Sequence, residues 1–119
     1  MNKSAGSGSP VREIRREEGC IVVDVTGDID INHSGAFQEE LTKVIAEKPR
    51  HIVVNLGGVE YMDSAGVASL VKLRTQTKEI GASLALAEVG GKVRSVLEIT
   101  RLDGVFKMFD SESEAIASA

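Results

Sequence analysis

Aromatic residues and cysteine are scarce in this sequence of 119 residues. It contains no Trp, one Tyr, three Phe and a single cysteine, Cys20. An aliphatic core is therefore expected, and a lone cysteine excludes an intramolecular disulfide. The chain also lacks the clustered Cys and His residues that hold zinc. We expect a reduced protein without a metal site, in which Cys20 is an inert core residue.

Positive charge and long hydrophobic runs are lacking as well. Fourteen Lys and Arg against 18 Asp and Glu give a formal net charge of −4, which offers a nucleic-acid backbone no electrostatic attraction. No run approaches the roughly 18 consecutive apolar residues of a membrane span, and the N-terminus lacks the apolar stretch of a signal peptide. We therefore expect a cytoplasmic protein that binds neither nucleic acid nor a membrane.

The remaining sequence has the pattern of one α/β domain. Residues 1–10 are mostly small and polar and predict a disordered leader, so the domain is expected at residues 11–119. After a predicted N-terminal β-hairpin, strand-like and helix-like segments alternate. Alternation favours a mostly parallel central sheet covered by about four helices. Gly27 and the Gly57-Gly58 pair are expected to end the second and third strands.

The most informative segment lies where the second helix is predicted to begin. Asp63 stands at the N-cap position, and Ser64 follows it as the first helical residue. A hydroxyl at this position should be exposed, and the unpaired N–H groups of a helix N-terminus favour an anion. The fold would tolerate a phosphoryl group on Ser64, although Asp63 would repel it. From spacing alone, the simpler interpretation is that both residues merely begin a helix.

Four separate segments together resemble the STAS domain family, specifically its bacterial anti-sigma factor antagonists. In chain order they are residues 26–30 (TGDID), 51–56 (HIVVNL), 61–66 (YMDSAG) and 102–106 (LDGVF). The resemblance implies a small α/β domain that, when dephosphorylated, binds an anti-sigma factor with serine kinase activity and so releases the sigma factor. It also implies that phosphorylation of Ser64 abolishes this binding and that a PP2C-type phosphatase restores it.

The partner surface that the resemblance implies combines a loop after the second strand with the start of the second helix. Its predicted members are Asp28, Asp30, Asp63, Ser64, Gly66 and Val67. Two positions depart from the family pattern, since Ala65 stands where a second Ser is common and Asp28 where Glu is common. Neither change removes the phosphoacceptor, so the prediction of phosphorylation at Ser64 stands.

Two other functions remain open at this stage. One is a STAS scaffold in a stress-signalling or lipid-transport assembly, in which phosphorylation is not required. The other is a serine hydrolase, because residues 62–66 supply a nucleophile-elbow pattern that lacks only its first Gly. Neither His33 nor His51 follows Ser64 in chain order, so we predict no catalysis and no cofactor.

A calcium loop is the last pattern to exclude. Asp28, Asp30, Asn32 and Glu39 fall at four ligand positions of an EF-hand. His33 stands where that loop needs a Gly for its sharp turn, and the preceding segment is strand-like. A solvated, partner-facing loop is the better interpretation.

Overall fold

A five-stranded sheet with helices on both faces forms the domain. The computed structural model describes residues 9–119, within which the elements are β1 (Val11–Glu17), β2 (Cys20–Ile29), α1 (Ser34–Ala46), β3 (His51–Met62), α2 (Ser64–Glu79), β4 (Ser83–Ala87), α3 (Gly91–Ile99), β5 (Lys107–Phe109) and α4 (Glu112–Ala117). The strands follow one another across the sheet in chain order. β1 is antiparallel to β2, and all other pairs are parallel. The predicted α/β fold with an N-terminal hairpin is confirmed.

Alternate side chains of the central strands point to opposite faces of the sheet. Ile21 and Val23 of β2 belong to the larger apolar cluster, which the first three helices cover. Cys20 and Val22 belong to a smaller cluster that Ala115 of α4 covers. Burial raises the pKa of the Cys20 thiol, which disfavours its reactive thiolate form. The apolar residues that the first three helices bury are Phe37, Leu41, Val44, Val67, Leu70, Leu73, Val93 and Leu97.

Two polar residues of β3 attach α4 to its face of the sheet. The tautomer of His51 protonated at Nε2 donates to the carbonyl oxygen of Ala115 at 2.8 Å and accepts from the Ser83 hydroxyl at 2.6 Å. Nδ2 of Asn55 donates to the carboxylate of Glu112 at 2.9 Å. His51 is only 2% exposed, so its role is structural.

β2 and β3 extend further than the sequence predicts. The glycines expected to end them do not, because β2 continues to Ile29 and β3 to Met62. The pairing absorbs these residues through register shifts around Thr26 and Gly27. Since β4 pairs with β3 only as far as Asn55, the two strands leave the sheet as a parallel ribbon. The two strands of the ribbon end at the loop after β2 and at the start of α2. The ribbon therefore places these two segments of the candidate site at one end of the domain.

The start of the domain also needs a correction. Residues 1–8 of the predicted leader lie outside the described residues. Pro10, by contrast, is buried, and its carbonyl oxygen accepts a hydrogen bond from the Thr26 N–H at 2.9 Å. Pro10 therefore belongs to the domain. Across residues 9–119, no helix combines the length and apolar character that crossing a bilayer requires.

Candidate functional site

Asp63 caps helix α2 with its side chain. Its Oδ1 accepts hydrogen bonds from the N–H groups of Ala65 at 2.9 Å and Gly66 at 3.2 Å. The backbone of Asp63 is extended, as an N-cap requires. These bonds satisfy two donors that a helix N-terminus otherwise leaves unpaired. The predicted cap is confirmed.

Ser64 is exposed as the first residue of α2. The neighbouring helix donors are already occupied, because the Asp63 side chain binds two of them and its carbonyl oxygen accepts from the Val67 N–H at 3.0 Å. A phosphoryl group on Ser64 would therefore extend into solvent beside a carboxylate instead of settling on the helix N-terminus.

The same aspartate also ties α2 to the loop after β2. Oδ2 of Asp63 accepts a hydrogen bond from the Ile31 N–H at 3.1 Å. The Asp63 N–H donates to the carbonyl oxygen of Ile29 at 3.4 Å. One side chain thus fixes the helix start and the loop relative to each other.

Asp30 organises that loop internally. Its Oδ1 accepts from the N–H groups of Asn32 at 3.0 Å and His33 at 3.2 Å, and lies 2.6 Å from Nδ1 of His33. Partial desolvation opposes the charge, but the His33 and backbone hydrogen bonds prevail and lower the pKa of Asp30. Helix α1 then begins with His33 as its N-cap and without a side-chain cap.

Gly66 marks the closest approach of α2 to the ribbon. A Cβ there would clash with the carbonyl oxygen of Ile29 and would lie 2.7 Å from Cγ of Met62. Gly66 is buried, and Val67 is only 4% exposed. Both residues therefore pack the helix against the sheet. This corrects their predicted role as surface contacts, because neither presents a side chain to a partner.

The other predicted residues come together at this end of the domain: Asp28, Asp30, Asp63 and Ser64. Two exposed apolar residues accompany them. Ile31 is 76% exposed, and Tyr61, which is 52% exposed, pairs in register with Asp28. Exposed apolar side chains among polar neighbours are a feature of protein interfaces. The sequence analysis missed both, since the bond from Ile31 to Asp63 and the pairing of Tyr61 with Asp28 are contacts between distant segments.

The histidines are engaged elsewhere. Nδ1 of His33 lies against Asp30, and both ring nitrogens of His51 have partners near α4. Among the hydrogen bonds of residues 9–119, none joins Ser64 to a histidine, which a serine nucleophile requires. In the same part of the chain, no three metal-binding side chains converge. The geometry thus gives the hydrolase alternative no support.

Removing the Asp63 carboxylate should destabilise the domain. We expect Asp63→Ala to lower the free energy of unfolding by about 2 kcal/mol, because three N–H groups lose their acceptor. Asp63→Asn should lose less, because its amide oxygen can still cap α2, whereas its NH₂ group is a donor and cannot accept from the Ile31 N–H. Urea denaturation and amide exchange at Ile31 measure both effects. Equal stability of Asp63→Ala and the parent chain would contradict the capping role.

Comparison with known proteins gives a consistent result. A family model described as the STAS domain matches residues 12–115. The chain is 28% identical over 100 residues to the anti-sigma-F factor antagonist RsfB of Mycobacterium tuberculosis, covering 82% of this chain and 80% of that protein. The fold of this chain is similar to that of an anti-sigma factor antagonist from Mycobacterium paratuberculosis, with a TM-score of 0.81 and 24% identity. The match covers 89% of this chain and 90% of that one. The fold also resembles that of SpoIIAA in its unphosphorylated form, with a TM-score of 0.77 and 19% identity. That match covers 89% of this chain and 93% of SpoIIAA.

Proposed function

The chain belongs to the STAS domain family, and on that premise we propose that it is an anti-sigma factor antagonist controlled by phosphorylation of Ser64. In the dephosphorylated form it binds an anti-sigma factor with serine kinase activity, and the sigma factor is released. A PP2C-type phosphatase regenerates the binding form. The protein acts in the cytoplasm by changing partners and performs no catalysis of its own.

The exposure of Ser64 is the observation that carries the proposal. A kinase can reach a hydroxyl on the first turn of a surface helix without unfolding the domain. The name of the similar protein RsfB supports the antagonist role. The structure of SpoIIAA, described as its unphosphorylated form, supports a modification as the control.

The proposed contact surface consists of the exposed hydroxyl, the surrounding carboxylates and two apolar side chains: Ser64, Asp28, Asp30, Asp63, Ile31 and Tyr61. Backbone N–H groups of this chain already satisfy the carboxylates of Asp30 and Asp63. A partner can therefore cover them without supplying cations, and the two apolar side chains give it surface to bury.

Phosphorylation changes the charge of such a surface strongly. A phosphoryl group adds about −1.5 to −2 charges and three hydrated oxygens. Burying it unpaired beside Asp63 would cost several kcal/mol, of the order of the penalty for any unpaired buried charge. The contact residues named here include neither lysine nor arginine. The proposed switch thus acts by preventing close docking and needs no change of fold.

Capture of the partner followed by phosphorylation tests this function. A pull-down from native cytosol should yield a protein with a histidine-kinase-like ATP-binding domain. Incubation of the chain with that protein and ATP should place one phosphoryl group on Ser64, as located by fragmentation mass spectrometry. Ser64→Ala should remain unmodified, whereas Ser113→Ala, which removes another exposed hydroxyl, should be modified normally. Stable binding with an unmodified Ser64 would favour the scaffold alternative.

A further inference from the structure

A second concave surface lies near the C-terminal end of α2, away from Ser64. It is a half-open groove of about 200 Å³ between the end of α2, the start of β4 and the segment that enters β5. Ser64 and Lys78 are separated along the helix by about 20 Å at 1.5 Å per residue. The groove therefore does not overlap the contact surface proposed above.

Three cations form the rim of this groove: Arg74, Lys78 and Lys107. In the part of the chain that the structure describes, no carboxylate oxygen lies within 4 Å of their charged nitrogens. The arginines of β1 differ, because Arg12, Arg15 and Arg16 each form a salt bridge. The rim thus presents positive charge that the domain itself leaves uncompensated.

Part of the wall of the groove is apolar. Leu84 is half-buried, Phe106 is 6% exposed and Val105 is 38% exposed. The volume is below the 300–1,000 Å³ of typical small-molecule sites. It suits one apolar side chain, whose neighbours along a peptide would reach the basic rim. The phosphate backbone of a nucleic acid has no apolar group to bury against Leu84, Val105 and Phe106, so a peptide fits this groove better.

We propose that this groove is a second docking site, which takes an acidic peptide segment of a partner protein. One apolar side chain of the segment packs against Leu84, Val105 and Phe106, and flanking carboxylates pair with the three cations. Burial of the central side chain against the exposed apolar surface would provide binding energy. Pairing of opposite charges would fix the position of the peptide along the groove. Because Ser64 lies at the other end of the helix, the site stays available in both phosphorylation states. It does not depend on the proposed function.

A labelled peptide with a central phenylalanine between acidic residues is the probe, measured by fluorescence anisotropy at low salt. We expect saturable binding that the double variant Lys78→Glu/Lys107→Glu weakens about tenfold or more. The matched control Lys72→Glu/Lys92→Glu makes the same change in net charge at exposed positions outside the groove and should bind almost normally. Ser64→Glu should bind the peptide like the parent chain. Failure of the phosphorylation proposal would therefore leave this result unchanged.

Three outcomes would overturn the proposal. The first is the absence of saturable binding. The second is equal loss of affinity in both double variants, which would indicate non-specific attraction. The third is undiminished affinity of a peptide in which alanine replaces the phenylalanine, since the apolar wall would then be unused. Circular dichroism and urea denaturation verify that each variant is folded.

Discussion

Phosphorylation of Ser64 should weaken binding to the anti-sigma factor by several hundredfold. A penalty of about 3–4 kcal/mol for covering the phosphoryl group corresponds to that factor, since every 1.4 kcal/mol is tenfold in affinity. Ser64→Glu adds only one charge and fewer oxygens, so it should lose about tenfold or more. Ser64→Ala removes the acceptor without adding charge and should bind like the dephosphorylated chain. Isothermal titration calorimetry with the purified partner measures all three.

A charge at a distant exposed serine provides the control for this experiment. Ser113 lies in the first turn of α4, where a negative charge is compatible with the helix dipole. Ser113→Glu should leave the affinity unchanged, because α4 covers the other face of the sheet. Equal affinities of Ser64→Ala and Ser64→Glu would contradict the charge mechanism.

Gly66→Ala should destabilise the domain by about 2–3 kcal/mol, the upper part of the range for overpacking a core. The added Cβ would clash with a backbone carbonyl oxygen, that of Ile29, which cannot move without disturbing the pairing of β2 with β3. The start of α2 or the end of the ribbon must therefore shift. Urea denaturation should show a lower midpoint, and binding to the anti-sigma factor should weaken because Ser64 moves with the helix.

Gly35→Ala is the matched control. Gly35 also lies in the first turn of a helix, but a Cβ there would meet nothing within 4 Å. Alanine at this position should be neutral or stabilise the domain by up to about 1 kcal/mol, because it lowers the cost of forming the helix. An unchanged midpoint for Gly66→Ala would refute the close packing between α2 and the ribbon.

The fold and the start of α2 could be predicted because both depend on local patterns. Apolar runs such as residues 51–56 have the length and β-branched composition of buried strands. Asp63 lies one turn ahead of residues 67–80, a long segment without Gly or Pro, and an N-cap involves only residues within one helical turn. The alternation of these segments then favours a parallel sheet.

The features that sequence analysis missed depend on contacts between distant segments. Gly27 resembles a strand end when read locally, yet pairing between β2 and β3 carries both strands past it. Gly66 and Val67 lie in the first turn of α2, and this location alone does not reveal which side of the helix faces the sheet. The sequence therefore does not distinguish a packing residue from a surface contact at these two positions. Ile31 joins the site only through its bond to Asp63, which lies 32 residues further along the chain.

The double anchoring of Asp63 has a consequence for the enzyme that would modify Ser64. The hydroxyl sits on a preorganised turn, whose backbone is fixed by the helix on one side and by the loop on the other. A kinase must accept this turn as it stands and cannot thread it through a cleft as an extended strand. Recognition by the kinase would then depend on the folded shape around Ser64. A short free peptide that contains Ser64 would lack the fixed turn and should be a poor substrate.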